Sequence, residues 1–417
     1  MKYSDPIVVQ KYGGSSLATV EKIAHVAGVV ARTAGQGRPV VVVVSARGDT
    51  TDELLHLTEQ ITPAPPAREL DQLLATGETV SAALLAMALT AQGVPAASLT
   101  AAQAGIRAAG RHGTGTIAGI DTGRVRSLLA DGLVVVITGF QAVDEHGDVL
   151  TLGRGGSDTT AVAVAAELGA DRCEIYTDVD GIYTADPRLV PHSRRLPSVP
   201  SAVMTEMAFG GAGVMHSRAV ELAALSGVDI EVRSSQTAEP GTTVLSVRTE
   251  SLEDRGAVLA ITHDRAVARV LVQARTDVAA QVFGTLGRCG VAVDLVARSG
   301  SGEPEFRMGF TVRRDHLDRL LGPLRAAVAP AGGRVDVDAG VGKVSLIGTG
   351  LLNRPEIVAR MLTTLNQAGI ATSWVSATQL RTSVTVPLPS VGDAVAVLHE
   401  QFGLAHDDYD LATPVPS

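Results

Sequence analysis

Lysine is scarce in this 417-residue chain. It occurs only at Lys2, Lys11, Lys22 and Lys343, and arginine supplies the rest of the positive charge. No block of Lys and Arg appears, and the formal net charge is -9. Gripping a phosphate backbone takes clustered cations, so nucleic acid is not expected as the main partner. Cysteine is scarcer still. Cys173 and Cys289 are far apart and fit no disulfide or metal spacing, so they read as small core residues of a reducing compartment. The opening segment "MKYSDPIVVQK" lacks the long apolar core of a signal peptide. The longest apolar stretch, "SAALLAMAL", is too short to span a bilayer. The expectation is a cytoplasmic protein with no membrane partner and no metal site of its own.

What is present is alternation. "IVVQ", "VVVVVSA", "LVVVITGF" and "CEIYTDVDGIY" are short, β-branched and apolar on both faces, as central strands covered from both sides are. Between them run helical patterns, among them "LATVEKIAHVAGVVARTA", "ARELDQLLATGETVSAALLAMALTAQG" and "SDTTAVAVAAELGA". The fold class is therefore α/β, a three-layer αβα sandwich over residues 1–245. Pro240-Gly241 marks a turn, and beyond it the chain repeats itself. Two units, about 265–335 and 341–412 within a region 246–417, each read strand, turn, helix, strand, strand, helix. Val282, Leu286 and Val291 in one match Met361, Leu365 and Ile370 in the other. A small ferredoxin-like module used twice accounts for the pattern.

The chemistry gathers at glycine turns in the first half. Lys11-Tyr12-Gly13-Gly14-Ser15-Ser16 ends a strand and opens a helix, which brings backbone N–H groups and one full positive charge to an anion. The spacing is not that of a Walker loop, because the lysine precedes the glycines. A second loop, Gly153-Arg154-Gly155-Gly156-Ser157-Asp158-Thr159-Thr160, opens another helix. Arg154 can take a carboxylate through two parallel hydrogen bonds, and Asp158 can orient Lys11 by charge pairing. A third turn, Ser45 to Asp52, adds hydroxyl and N–H donors at Thr50 and Thr51. Glu78 interrupts an otherwise apolar helix, where a carboxylate needs a partner; a substrate ammonium or a core arginine would serve. His112 and His216 read as structural or surface residues, and no histidine base stands in these loops. An ionised carboxylate acceptor needs no base.

Taken together, "QKYGGSS", "VVVSARGDTTDELL", "PPARELDQLLATGE", "TLGRGGSDTTA" and "EIYTDVDGIYTADPR" resemble the aspartokinases of the amino-acid-kinase superfamily over nearly the whole chain. The tandem repeat resembles the paired ACT domains of that family. The resemblance implies transfer of the γ-phosphoryl of Mg-ATP to the side-chain carboxylate of L-aspartate, the first step toward lysine, threonine and methionine. It implies catalytic roles for Lys11 and Asp158, and ATP contacts at Lys11, Gly13, Gly14, Thr177, Asp178, Tyr183 and Arg188. It implies substrate contacts at Ser45, Thr51, Glu78, Phe140, Arg154 and Ser157. It further implies ACT-mediated homo-oligomers and an amino-acid effector, lysine or threonine, near Thr276, Asp277, Val278 and Asp294.

Several positions depart from the family pattern. Gly213 stands where a lysine is usual near the nucleotide, Arg47 where a small or apolar residue is common, and Ala142 where glycine is common. The turn Arg275-Thr276-Asp277-Val278 lacks Pro and Gly, and Trp374 sits in an unusual place. Weakened feedback is one expectation from these changes. A kinase for another amino or hydroxy acid, and a catalytically silent amino-acid-sensing subunit, are the rival readings.

Overall fold

The computed structural model describes residues 7–170, 172–237, 239–246, 258–298 and 306–406. Residues 247–257 of the region expected at 246–417, 299–305 of the first repeat and 407–412 of the second lie outside this range. The chain forms two compact units. One holds Met1–Ile182, Arg195–Ala208 and Gly213–Glu250; the other holds Tyr183–Arg194, Phe209–Ala212 and Ser251–Ser417.

The elements run β1 (Val8–Tyr12), α1 (Val20–Ala34), β2 (Val40–Val44), α2 (Thr50–Ile61), α3 (Ala67–Leu74), α4 (Thr76–Ala91), β3 (Ala96–Leu99), β4 (Ile106–Ala109) and β5 (Thr116–Ile120). They continue with α5 (Gly123–Ala130), β6 (Val134–Thr138), β7 (Gln141–Val143), β8 (Val149–Thr151), α6 (Gly156–Leu168), β9 (Arg172–Thr177), β10 (Ile182–Tyr183), β11 (Arg195–Leu196) and β12 (Ser198–Pro200). Next come α7 (Ser201–Gly210), α8 (Ser217–Ser226), β13 (Ile230–Ser234) and β14 (Thr242–Leu245).

The first unit is built on an eight-stranded sheet ordered β12-β14-β13-β9-β1-β2-β6-β3. β1 pairs in parallel with both β2 and β9, so it runs at the centre. Side chains alternate along each strand. Tyr12, Val40, Val42, Val44, Val134 and Val136 join Ile23 and Val30 of α1 and Leu85 and Leu89 of α4 in one core. Lys11 falls on the opposite face, where α6 lies. Helices on both faces make the three layers read from the sequence. The strand read as "CEIYTDVDGIY" stops at Thr177, and only Ile182–Tyr183 resumes extended pairing. Beside the main sheet stands a small one, β5-β4-β7-β8.

One sequence expectation needs correction. Ala75 keeps helical angles (φ -61°, ψ -17°) between α3 and α4, so Ala67–Ala91 is a 25-residue span, long and apolar enough to cross a membrane by length and composition. Ser81, Ala82, Leu85 and Leu89 are buried within the first unit, and so is Glu78. A core helix against a sheet carries the same signature as a membrane span.

The second unit adds β15 (Val258–Asp264), β16 (Val267–Ala274), α9 (Ala279–Cys289), β17 (Asp294–Arg298), β18 (Phe306–Arg313), α10 (Leu317–Val328), β19 (Arg334–Asp338) and β20 (Val341–Gly348). It ends with α11 (Pro355–Gln367), β21 (Val375–Ala377), β22 (Arg381–Pro387) and α12 (Val391–Gln401). Two antiparallel four-stranded sheets result, β17-β18-β16-β19 and β15-β20-β22-β21. Val282, Leu286 and Val291 pack in the core of the first module, and Met361, Leu365 and Ile370 in that of the second. The second module is not contiguous. Its edge strand β15 precedes the first module and returns to pair with β20, so the first module is inserted within the second.

Candidate active site

Three turns of the first unit meet at Ala46. Gly14 closes on it: a Cβ at Gly14 would lie 2.6 Å from the Ala46 carbonyl oxygen, and Gly14 O accepts a 2.9 Å bond from Gly48 N. From the other side comes the start of α4, where a Cβ at Gly77 would lie 2.8 Å from Ala46 Cβ. Glu78 Oε1 accepts from Ala46 N at 3.0 Å. Glycine is needed at both places because a side chain would fill the space the neighbouring turn occupies.

The second glycine loop joins from the α6 face. Asp158, in the first turn of α6, holds Lys11 Nζ at 2.7 Å from its Oδ1, and both side chains are nearly buried. Lys11 Nζ also lies over Gly13, where a Cβ would be only 3.6 Å away. Ser157 is buried against Gly139, and Gly156 against Phe140. Phe140 has φ +67°, a left-handed backbone rarely taken by an aromatic residue, and its carbonyl accepts from Leu152 N at 2.8 Å. Strain of this kind persists only where surrounding bonds enforce it. Arg154 is exposed on the same loop. Ser45 follows β2, with its N–H on Tyr12 O at 3.1 Å, and Thr51 stands in the first turn of α2.

Glu78 is the electrostatic anomaly. Its side chain is 3% exposed, no arginine pairs it, and Oε2 has no hydrogen-bond partner among the described residues. Burial pushes its pKa up to about 7, against a smaller opposing effect from the Ala46 N–H. The core-arginine alternative is thereby removed, and a buried acceptor atom is left facing no donor.

Other expected residues are distributed differently. Thr177 ends β9 and Asp178 follows it, with Thr177 Oγ1 donating to Asp178 Oδ1 at 3.1 Å. Tyr183 and Arg188, expected with them, belong to the second unit, where Arg188 pairs with Asp186 at 2.8 Å. Asp277 Oδ1 caps Ala279 N at 2.9 Å while its Oδ2 meets Arg298 Nη2 at 2.9 Å; the neighbouring Val278 is buried and Thr276 exposed. Asp294 is held by Lys343 at 2.8 Å and by Arg381 at 2.7 and 3.0 Å, and these cations keep its carboxyl well below the usual range despite burial. Trp374 packs its ring on Gly309, with the Arg269 guanidinium 5.5 Å from its centre.

Sequence reasoning missed two buried networks. Asp71 accepts from Thr151 N, Thr151 Oγ1 and Gly113 N at 2.7 to 2.9 Å, and meets His112 Nδ1 at 3.1 Å. It thereby fixes the strand that leads into the second glycine loop. Its signal was the same as that of Glu78, an acid inside an apolar helical pattern. Gln10 and Glu174, both fully buried or nearly so, bond to each other at 2.8 Å and to the stacked rings of Tyr12 and Tyr176. Nothing local in either strand announced that link.

The family model for the amino acid kinase family matches residues 6–234, and one for the ACT domain matches residues 344–402. Aspartokinases of Mycolicibacterium smegmatis and Geobacillus stearothermophilus are 46% and 43% identical over 410 and 404 residues, covering 96% of this chain and 97% and 98% of theirs. The aspartate kinase structure from Synechocystis is 38% identical with a TM-score of 0.54, and the match covers 98% of this chain and 71% of that one. E. coli aspartokinase III in complex with aspartate and ADP has a TM-score of 0.76 at 24% identity, covering 95% of this chain and all of that one, which shows the fold. The same enzyme in complex with lysine and aspartate has a TM-score of 0.72 at 25% identity, covering 94% and 99%. The chain therefore belongs to the aspartokinase family: it is an aspartate kinase, an amino-acid-kinase unit followed by ACT modules.

Proposed function

We propose that this chain uses Lys11, the Gly13-Gly14 turn and the Gly153–Asp158 loop to move the γ-phosphoryl of ATP onto the side-chain carboxylate of L-aspartate. The observation that carries the assignment is the 2.7 Å pair of Lys11 Nζ and Asp158 Oδ1, which ties the two glycine loops together on one face of the sheet. The E. coli relative holds aspartate and ADP, and its chemistry supports the same pair of ligands here. Lys11 and the N–H groups after Gly13 hold the terminal phosphates, where a fixed ammonium offsets charge as it shifts toward the leaving oxygen. Thr177 and Asp178 contribute nucleotide contacts. Ser45 and Thr51 lie along the path between the phosphate and the acceptor. Glu78 takes the acceptor's ammonium at its unpartnered Oε2. Arg154, with Phe140 and Ser157, fixes the acceptor's carboxylates. The attacking carboxylate is already ionised at neutral pH, so the protein's task is alignment of two anions, not proton abstraction. Mg2+ enters on the nucleotide. Asp158, the acid of these loops, is committed to Lys11, so no ligand from this chain is assigned to the ion.

The ACT modules serve regulation and assembly in this reading, with the chain forming homo-oligomers through them. Lysine bound to the E. coli relative supports an amino-acid effector. Feedback is weakened here, because Asp277 and Asp294 are both already engaged by arginine or lysine side chains. The product feeds the aspartate-derived amino acids. The test is hydroxamate trapping of aspartyl phosphate with purified chain, ATP, Mg2+ and aspartate, without and with millimolar lysine plus threonine. Absence of hydroxamate with aspartate sinks the acceptor assignment, and strong inhibition sinks the weakened feedback.

A further inference from the structure

The second glycine loop, 152–156, is gripped at both ends by two residues that no motif singled out. At its start, Arg218 Nη1 donates to Leu152 O at 2.7 Å, and Nη2 donates to Gly115 O at 2.9 Å. At its end, Gly155 adopts φ +70° and abuts His216. A Cβ there would fall 2.2 Å from His216 Cβ and 2.3 Å from Cγ, so only glycine lets the loop close on the ring. His216 Nδ1 accepts from Arg218 N at 3.3 Å and caps α8, which puts the neutral ring's proton on Nε2. Burial holds the imidazole's pKa below its ordinary value; Asp158 and Glu221 draw it upward, and Arg218 and Arg154 downward. The ring is thus a neutral wedge, close enough to Asp158 and Arg154 to feel both charges.

We propose that His216 and Arg218 are positioning residues for the acceptor, a clamp that sets the 152–156 loop so that Arg154 and Ser157 meet the acceptor's carboxylate. The inference rests on the reading of Arg154 and Ser157 as acceptor contacts. A guanidinium fork can span two carbonyls from different segments, whereas a lysine offers one compact charge and cannot hold both in register. Neither clamp residue bonds to the Lys11–Ser16 loop among the described residues, and the Asp158 that pairs with Lys11 is held in α6, beyond the gripped segment, so loosening the clamp acts first on the acceptor side.

The test is steady-state kinetics of the full chain, with aspartate and ATP varied separately, for Arg218→Met, Arg218→Lys and His216→Ala. Each variant raises KM for aspartate about tenfold or more while KM for ATP stays within about twofold, since a loop displaced by an ångström spoils alignment locally. Arg218→Lys fails to restore the wild-type KM. Equal changes in both KM values, no change in either, or full rescue by lysine overturns the clamp. If Arg218→Met does not fold, Arg218→Lys decides by the same ratio. Wild-type chain that makes no aspartyl hydroxamate would instead strike the acceptor reading itself.

Discussion

Lys11 Nζ and Asp158 Oδ1 meet at 2.7 Å, although one ends the first strand and the other opens the sixth helix. The two side chains are 12% and 11% exposed, so each ion depends on the other for much of its stabilisation. The pair also fixes the ammonium over Gly13, where phosphate is proposed to bind.

Loss of this ammonium separates chemistry from stability. Lys11→Ala is expected to lower turnover about 100-fold or more, as loss of one preorganised electrostatic donor does. It also leaves Asp158 uncompensated, so the single variant unfolds at lower denaturant than wild type. Lys11→Ala combined with Asp158→Asn regains stability without regaining turnover. Denaturation midpoints and aspartyl hydroxamate rates measure the two effects, and near-normal turnover in either variant removes Lys11 from the reaction.

Glu78 supplies a pH dependence of defined sign. Its folded pKa, about 7, lies above the value near 4.3 of an unfolded glutamate. The native state therefore holds more protons than the unfolded state between those values, and ligand-free stability declines as pH rises through that window, by up to about 4 kcal/mol. Glu78→Gln flattens this decline. Binding an ammonium requires the ionised form, so kcat/KM for aspartate rises with pH up to about 7, and aspartate shifts the stability curve back. Chemical denaturation from pH 5 to 8, with and without aspartate, measures both. Stability that climbs across that range in ligand-free wild type would contradict the assignment.

What could be read from the sequence was whatever is local. The glycine loops announce themselves because Gly13, Gly14, Gly155 and Gly156 lie beside the charges they serve, and Val-rich strands such as Val40–Val44 identify a two-faced sheet without further help. Pairings that cross the chain were hidden. β15 reads like any edge strand, and nothing in Val258–Asp264 names β20 as its partner across an entire inserted module. The span Ala67–Ala91 was legible as one helical pattern because Ala75 carries no start or stop signal; hidden was that its apolar length would suffice for a membrane span. Arg218 meets the loop through the backbone carbonyls of Leu152 and Gly115, and His216 by packing against Gly155, and neither a carbonyl nor a close approach leaves a trace in the identity of the partner residue.

Gly213 offers a gain-of-function experiment. The resemblance read from the sequence implies a lysine near the nucleotide at this position. The position is open: a Cβ would meet nothing within 4 Å, and its φ is not in the left-handed region. Gly213→Lys is thus expected to leave the thermal midpoint within about 2 °C of wild type, the range of an exposed substitution. The added ammonium is expected to lower KM for ATP about threefold or more, by an ordinary exposed charge interaction. Isothermal calorimetry with ATP analogues and initial-rate kinetics read the change; unaltered ATP affinity would dissociate this position from the nucleotide.

The last prediction concerns the seam between the two ACT modules. Asp294 of the inserted module is shared by Lys343 and Arg381 of the discontinuous one, and Lys343 Nζ donates a further 3.0 Å bond to Phe209 O. Lys343 is 4% exposed at its side chain and Arg381 10%, so removing the carboxylate strands two buried cations. Asp294→Asn is expected to destabilise the second unit by about 3 kcal/mol at pH 7, the scale of a broken buried pair. The sign with pH follows from the depressed carboxyl: its contribution is present above the unfolded pKa near 4 and fades only as pH falls toward the lower folded value. Wild type therefore loses its advantage over Asp294→Asn in strong acid and keeps it at neutrality. Pairing Asp294→Asn with Lys343→Met relieves part of the penalty, since an apolar chain of similar length needs no counter-charge. Equal denaturation midpoints for wild type and Asp294→Asn at pH 7 would mean that the seam is held by packing, with the ion cluster contributing nothing measurable.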